Sequence, residues 1–318
     1  MNGQDAQLSS DEAVDDIWAA PSTFTLGIEP ERSEFLKAMS LLRHKVGKLA
    51  ENITLDFSHT EKLYADGMLL FWAELKRLIK HVQGKVDISL VLPNNRKVAQ
   101  VLKQIGILDL LGVKANVIPE DHDVINWRAA TGNLVQGDQY EVILKEYDGE
   151  IAEYLQDNLY TGITEAMTNV SNHAYDLPRE DGLGICHQKT WWMFSHQKDG
   201  YLSVAFCDLG AGIPRTLPVK RKSVWNRIMR KGIKYDSDII KFAVKDSVSR
   251  TRKKHRGKGL RQIMDVIRGL PDAEAVVYSN KGRYGTSWGG RPHQRDYRDS
   301  ILGTLIFWKI PLPRKEDV

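Results

Sequence analysis

Glu165, Asn169 and His173 recur at four-residue steps within the stretch TGITEAMTNVSNHAY, residues 161–175. Residues four apart stack on one face of a helix, so the spacing predicts a polar ridge of three side chains. Ile163, Ala166, Met167, Val170 and Ala174 supply the apolar stripe that buries the other side. A carboxylate and an amide aligned in this way suit oxygen-ligand chemistry. Mg²⁺ is a hard cation that accepts a few protein oxygens and fills its remaining positions with water and phosphate. The same pattern also fits an amphipathic helix whose polar side faces solvent, and this stretch alone does not separate the two readings.

Three later segments add context. Residues 204–214 read VAFCDLGAGIP, a strand-like run that ends in Asp208, Gly210, Gly212 and Ile213. Residues 256–263 read RGKGLRQI, and residues 301–310 read ILGTLIFWKI. The order is E-x-x-x-N-x-x-x-H, then D-x-G-x-G-I, then G-x-G-L, then Gly-Thr between two strand-like runs. Each piece is weak alone, and D-x-G-x-G is a common turn composition. Four pieces in order are far more specific. Together they resemble the Bergerat-fold (GHKL) ATP-binding domain of gyrases, heat-shock chaperones, histidine kinases and anti-sigma-factor kinases. EAMTNVSNHAY is most similar to the last two branches. The resemblance spans roughly residues 148–313.

It implies a role for each matched residue. Asn169 corresponds to the family's metal-ligand asparagine, holding a Mg²⁺ that bridges the phosphates of ATP. Glu165 corresponds to the group that orients or deprotonates the attacking species. His173, one turn on, lines the phosphate side or serves as a packed or capping histidine. Asp208 corresponds to the adenine reader, a buried carboxylate that accepts the exocyclic amine and leaves a guanine carbonyl unpaired. Gly210, Gly212 and Ile213 form the turn against the base. Gly257, Lys258, Gly259 and Leu260 correspond to a second glycine box, whose amides at a helix start would form an anion site. Thr304 corresponds to the hydroxyl that supports adenine from the strand floor.

Between Ile213 and Gly257 lies the segment that forms an ATP lid in this family. It carries Arg215, Lys220, Arg221, Lys222, Arg227, Arg230, Lys231 and Lys234, with apolar residues that predict one or two short helices. Three uses of these cations stay open: facing solvent, closing on a triphosphate, or binding nucleic acid or an acidic partner. Residues 281–298 are rich in Gly and Arg with interleaved aromatics, and read as an extended hairpin loop.

The elements before residue 148 follow an alternating strand–helix pattern, which implies helices packed on a sheet. Strand-like runs cover residues 22–28, 52–58, 86–92 and 114–118. Helical patterns cover 31–50, 65–83 and 95–111, the second ending at Gly84 as a C-cap. LDFSHTEKLYADGMLLFWAELKR and VLKQIGILDLLG resemble the STAS domain of anti-anti-sigma factors over roughly residues 24–119. Where switched members of that family carry a phosphorylated Asp-Ser-Ser-Gly, this chain has Tyr64-Ala65-Asp66-Gly67. Asp66 therefore reads either as an ordinary helix-start residue or as a fixed imitation of the phosphorylated state.

Composition bounds the rest. The chain has 318 residues, 42% apolar and 27% charged, with net charge +4. It contains no apolar run long enough to span a membrane and no signal-peptide layout at its acidic start. Cys186 and Cys207 match no metal-ligand spacing and read as buried thiols of a reducing, cytoplasmic compartment.

The expectation is an α/β (α+β) protein. Residues 1–21 form a disordered acidic tail, 22–119 a STAS-like layer, 120–147 a junction and 148–318 a Bergerat-fold sandwich. Tyr140–Tyr147 reads as a strand in that junction. The resemblances imply an ATP- and Mg²⁺-dependent regulatory protein, in which lid closure controls contact with the STAS-like layer or a separate sigma-regulator-like partner. Serine-kinase or slow ATPase activity, a non-catalytic ATP sensor or scaffold, and a nucleic-acid-associated ATPase are the open alternatives. An oligomer is compatible with all of them.

Overall fold

Parallel and antiparallel strands segregate along the chain. A computed structural model describes residues 16–133, 153–183, 189–245 and 259–312. Early in the sequence, β1 (Asp16–Ala19), β3 (Ile53–Asp56) and β5 (Ile88–Val91) form a parallel sheet in the order β1-β3-β5. The short strands β2 (Thr23–Phe24) and β4 (Lys62–Leu63) pair beside it. Its helices are α1 (Glu31–Leu42), which runs on through a π-helical segment Arg43–Leu49, α2 (Ala65–Val82), α3 (Arg96–Gln104) and α4 (Ile107–Leu110).

After α5 (His122–Ile125), seven strands build one antiparallel sheet in the order β11-β10-β9-β12-β8-β7-β6. They are β6 (Trp127–Gly132), β7 (Trp191–Lys198), β8 (Tyr201–Asp208), β9 (Glu274–Ser279), β10 (Gly282–Ser287), β11 (His293–Asp296) and β12 (Thr304–Pro311). Helix α6 (Glu153–Asn169), with its π-helical extension Val170–Ala174, and α10 (Gly259–Gly269) pack on one face. Helices α7 (Ile213–Lys220), α8 (Lys222–Arg230) and α9 (Asp236–Lys245) cap one end. The architecture is mixed α/β of the α+β kind.

Strand parity assigns each face of the large sheet. Met193, Val204, Phe206, Val277, Ile306 and Trp308 point to α6 and α10. Their neighbours Trp192, Phe194, Ala205, Cys207, Val276 and Leu305 point the other way, into a core shared with the N-terminal layer. Helix α2 lies between the two sheets and is buried from Ala65 through Leu75. Helices that are apolar all round belong inside a core. On one side Phe71 stacks on Trp18 at 5.7 Å, within a ring cluster that includes Phe24 and Phe57. On the other side Trp72 meets Phe194 at 5.1 Å. At the edge, Arg32 of α1 lies 3.7 Å above the Tyr297 ring and donates to the Asp299 carbonyl.

Several sequence expectations need correction. Residues 16–21 are not tail: β1 is a sheet strand, and Trp18 is fully buried within an otherwise acidic stretch. Residues 114–118 form no strand. The helix expected over 95–111 breaks at Gly106, which adopts φ 77°. The junction is not a linker throughout, because Trp127–Gly132 is an edge strand of the large sheet. Residues 281–298 are not mainly loop, since β10 and β11 extend the sheet within them. The expected strand over 140–147 and Cys186 lie outside the described residues, while Cys207 is a buried free thiol. Asp66 sits in the first turn of α2. It is 9% exposed and accepts the Leu26 amide at 3.1 Å and its neighbour Gly67 at 2.7 Å.

Candidate functional site

The ridge on α6 opens into a cavity. Ile163, Ala166, Met167 and Val170 bury against the sheet, which turns Glu165, Asn169 and His173 toward its edge. There they meet Phe206 and Asp208 of β8, Gly212 and Ile213 of the following turn, Leu260 of α10, and Thr304 and Ile306 of β12. Thr216, Lys220 and Arg221 complete one wall, and Ala243 and Val244 of α9 another. Counted out to its open mouth, the cavity holds about 870 Å³ of free space.

Asp208 and Thr304 arrive together through register. They are direct partners in the β8–β12 ladder, and parity turns both toward the cavity. Burial pushes the Asp208 carboxyl up to about 6, against the opposing pull of the Gly210 amide, Arg179, and the Thr304 amide and hydroxyl. The Gly210 amide donates to Asp208 at 2.9 Å. A Cβ on Gly210 would fall 2.2 Å from the Ala174 carbonyl, so only glycine lets this turn pass beneath the end of the π-helical extension. Gly212 holds φ 81°, a left-handed conformation that a side chain resists.

Ser279 pins the turn from the sheet. Its hydroxyl receives the Ile213 amide at 2.8 Å and lies 3.1 Å from both the Gly303 carbonyl and the Thr304 hydroxyl. Tyr175 ties the helix side, donating to the Thr190 carbonyl at 2.6 Å and accepting the Leu209 amide at 3.1 Å. These two were missed in the sequence, because a serine ending a strand and a tyrosine ending a helix carry no periodic signal.

Among the described residues, the buried Nδ1 of His173 meets no hydrogen-bond partner, and burial lowers the pKa of this histidine. A buried polar atom in such a state is costly unless something polar enters beside it. Asn169 offers one amide oxygen from the same ridge. Among the described residues, no group of three or more His, Cys, Asp or Glu side chains gathers as a metal site. A Mg²⁺ ion held mainly by phosphate oxygens and water needs no such group, so the donor set here fits a metal that arrives with its ligand.

Among the described residues of the lid region, α7, α8 and α9 carry a small core of their own: Leu217, Val224, Ile228 and Ile239. Two of the basic residues are already paired beneath the lid. Arg215 meets Glu180 at 3.2 Å, and Lys220 pairs with Asp176. Gly257 and Lys258 lie outside the described residues. Gly259 opens α10, and Leu260 reaches the cavity.

Behind Asp208 sits an ionic cluster that crosses between the two sheets. Glu74 of α2, fully buried, accepts Arg179 through both oxygens, at 3.0 and 2.7 Å. Arg77 donates to Glu74 at 2.8 and 3.0 Å, and Arg43 at 3.4 Å. Asp181 pairs with Arg77 and, at 3.2 Å, with Arg179. Burial alone would raise the Glu74 pKa, but Arg179, Arg77 and Arg43 override it and hold the carboxyl well below its ordinary range. No family model matches the chain, and no curated protein matches it.

Proposed function

We propose that the cavity binds ATP as its Mg²⁺ complex, and that the protein is a nucleotide-responsive regulator of the GHKL kind. One observation carries this reading: residues from four separated segments, Asn169, Asp208 with Gly212, Leu260, and Thr304, line the same cavity. Asp208 would accept the exocyclic amine of adenine, with the Thr304 hydroxyl supporting the base from the strand floor. A guanine carbonyl at that point would face an acceptor and lose its partner. Asn169 would hold Mg²⁺, whose chemistry is to bridge and neutralise phosphate oxygens. Glu165, one turn earlier on the same ridge, is the group to orient an attacking water or hydroxyl. Arg221 lies on the cavity wall beside Lys220, whose charge would become available to phosphate by exchanging its pairing with Asp176.

The N-terminal STAS-like layer would serve as the element that senses occupancy. It covers the sheet face opposite α6 and α10, so a lid movement would have to reach it through the sheet and its connecting loops. A kinase acting on a separate protein, a slow ATPase and a sensor without turnover all use this arrangement of groups.

Calorimetric titration with ATP and GTP, each with and without Mg²⁺, tests the reading. The expected result is binding of ATP that strengthens with Mg²⁺ and excludes GTP. Equal affinity for the two nucleotides, or none for either, would overturn it.

A further inference from the structure

Arg179 joins the two halves of the molecule at one point. Its Nε donates to the Leu302 carbonyl at 2.6 Å, immediately before Gly303 and Thr304. Its two terminal nitrogens grip Glu74 of α2, on the far side of the sheet from the cavity. Arg179 itself is 7% exposed and Glu74 fully buried. A bidentate guanidinium–carboxylate pair fixes orientation as well as distance. Breaking a buried pair by removing one partner leaves an uncompensated charge.

Arg43, Arg77 and Arg179 bring three cations to the two carboxylates of Glu74 and Asp181. The cluster therefore carries one surplus positive charge. The acid beyond it is Asp208, which feels Arg179 directly. The cavity's purine end is thus held from behind, mechanically through the Leu302 carbonyl and electrostatically through Arg179.

We infer that Arg179 is a positioning residue for the purine end of the cavity and that Glu74 holds it in place, making a docked N-terminal layer a condition of nucleotide affinity. This inference rests on the adenine-nucleotide reading above. Neither residue lines the cavity, so each acts through Leu302–Thr304 and Asp208. Coupling of this kind is reciprocal: ligand at Asp208 tightens the hold on α2 as much as α2 tightens the site.

The test uses the whole 318-residue chain and adenosine, which engages only the purine end. Glu74→Gln and Arg179→Gln are compared with wild type by calorimetry. Phe71→Leu serves as the stability control, since it loosens the opposite side of the same helix, against Trp18 and Phe57. Both charge variants are expected to lose about tenfold or more in adenosine affinity, by the same factor for adenosine and ATP. Phe71→Leu should melt earlier yet keep its affinity. Wild type that binds adenosine, with both charge variants unchanged, overturns the inference alone. Wild type that binds no adenosine overturns the nucleotide reading and the inference with it. Amide exchange in wild type removes dependence on variants that fail to fold. Adenosine should slow exchange around Glu74 in α2 as well as at residues 302–304, and protection confined to the cavity would overturn the inference.

Discussion

Asp208 and Thr304 face each other across the β8–β12 ladder, and the threonine beside the buried carboxyl favours its charged form. The pair is held from both sides: Ser279 touches the Thr304 hydroxyl, and the Gly210 amide touches Asp208. Asp208→Asn replaces one of the carboxylate's two acceptor oxygens with a donor. It is expected to weaken ATP binding by about tenfold or more, the weight of a lost hydrogen bond to a charged group of ~1.5–3 kcal/mol. Calorimetry beside a circular-dichroism melt separates this loss from unfolding.

Burial pushes two carboxyls, Asp66 and Asp208, up to about 6. Between their ordinary range near 4 and this value, the folded protein keeps protons that the unfolded chain releases. Each group therefore subtracts stability as pH rises through that window. Glu74 has the opposite sign, since its depressed pKa adds stability that is lost as pH falls below the ordinary glutamate range. Asp66→Asn should thus gain on wild type between about pH 5 and pH 7, by an amount on the order of 1–3 kcal/mol. Urea denaturation of both proteins at the two pH values measures this. A constant difference would remove Asp66 as the source.

Asn169→Ala takes away the proposed protein ligand to Mg²⁺ and leaves the purine end intact. ATP affinity should lose its dependence on Mg²⁺, while adenosine affinity stays within about twofold, as expected when the altered group lies outside the contacts being measured. Parallel titrations of the two ligands read this out.

Glu165→Gln separates an enzyme from a sensor. If the protein turns ATP over, phosphate release should fall by about 10²-fold or more, the usual contribution of a positioned base, with ATP affinity retained. Single-turnover phosphate release in wild type and variant measures it.

A fragment comprising residues 120–318 alone should fail to stay monomeric. Removing the N-terminal layer bares Trp192, Phe194, Ala205, Cys207, Val276 and Leu305 on one sheet face, and contiguous apolar patches of that kind drive association. Dye binding and light scattering of the fragment test this. A monodisperse, cooperatively melting fragment would show that the two layers fold independently.

The sequence by itself determined the local geometry. Four-residue spacing put Glu165, Asn169 and His173 on one helix ridge, and strand parity fixed that Asp208 shares a face with Phe206 while Cys207 faces away. Glycines at 210 and 212 announced a tight turn. These features are legible because helix and strand periods are short and repeat within a few residues.

Only the tertiary structure decided what those faces meet. It brought Thr304 opposite Asp208 and placed Ser279 and Tyr175 as the pins of the turn. It made β1 from an acidic stretch that held one buried tryptophan, and strands from residues 282–296. Most of all, it packed the N-terminal layer through α2 onto one face of the large sheet and joined Glu74 to Arg179 across 105 positions of chain. Such a contact leaves no trace in local spacing, because nothing periodic links the two residues. Burial alone forces that glutamate to find its arginines.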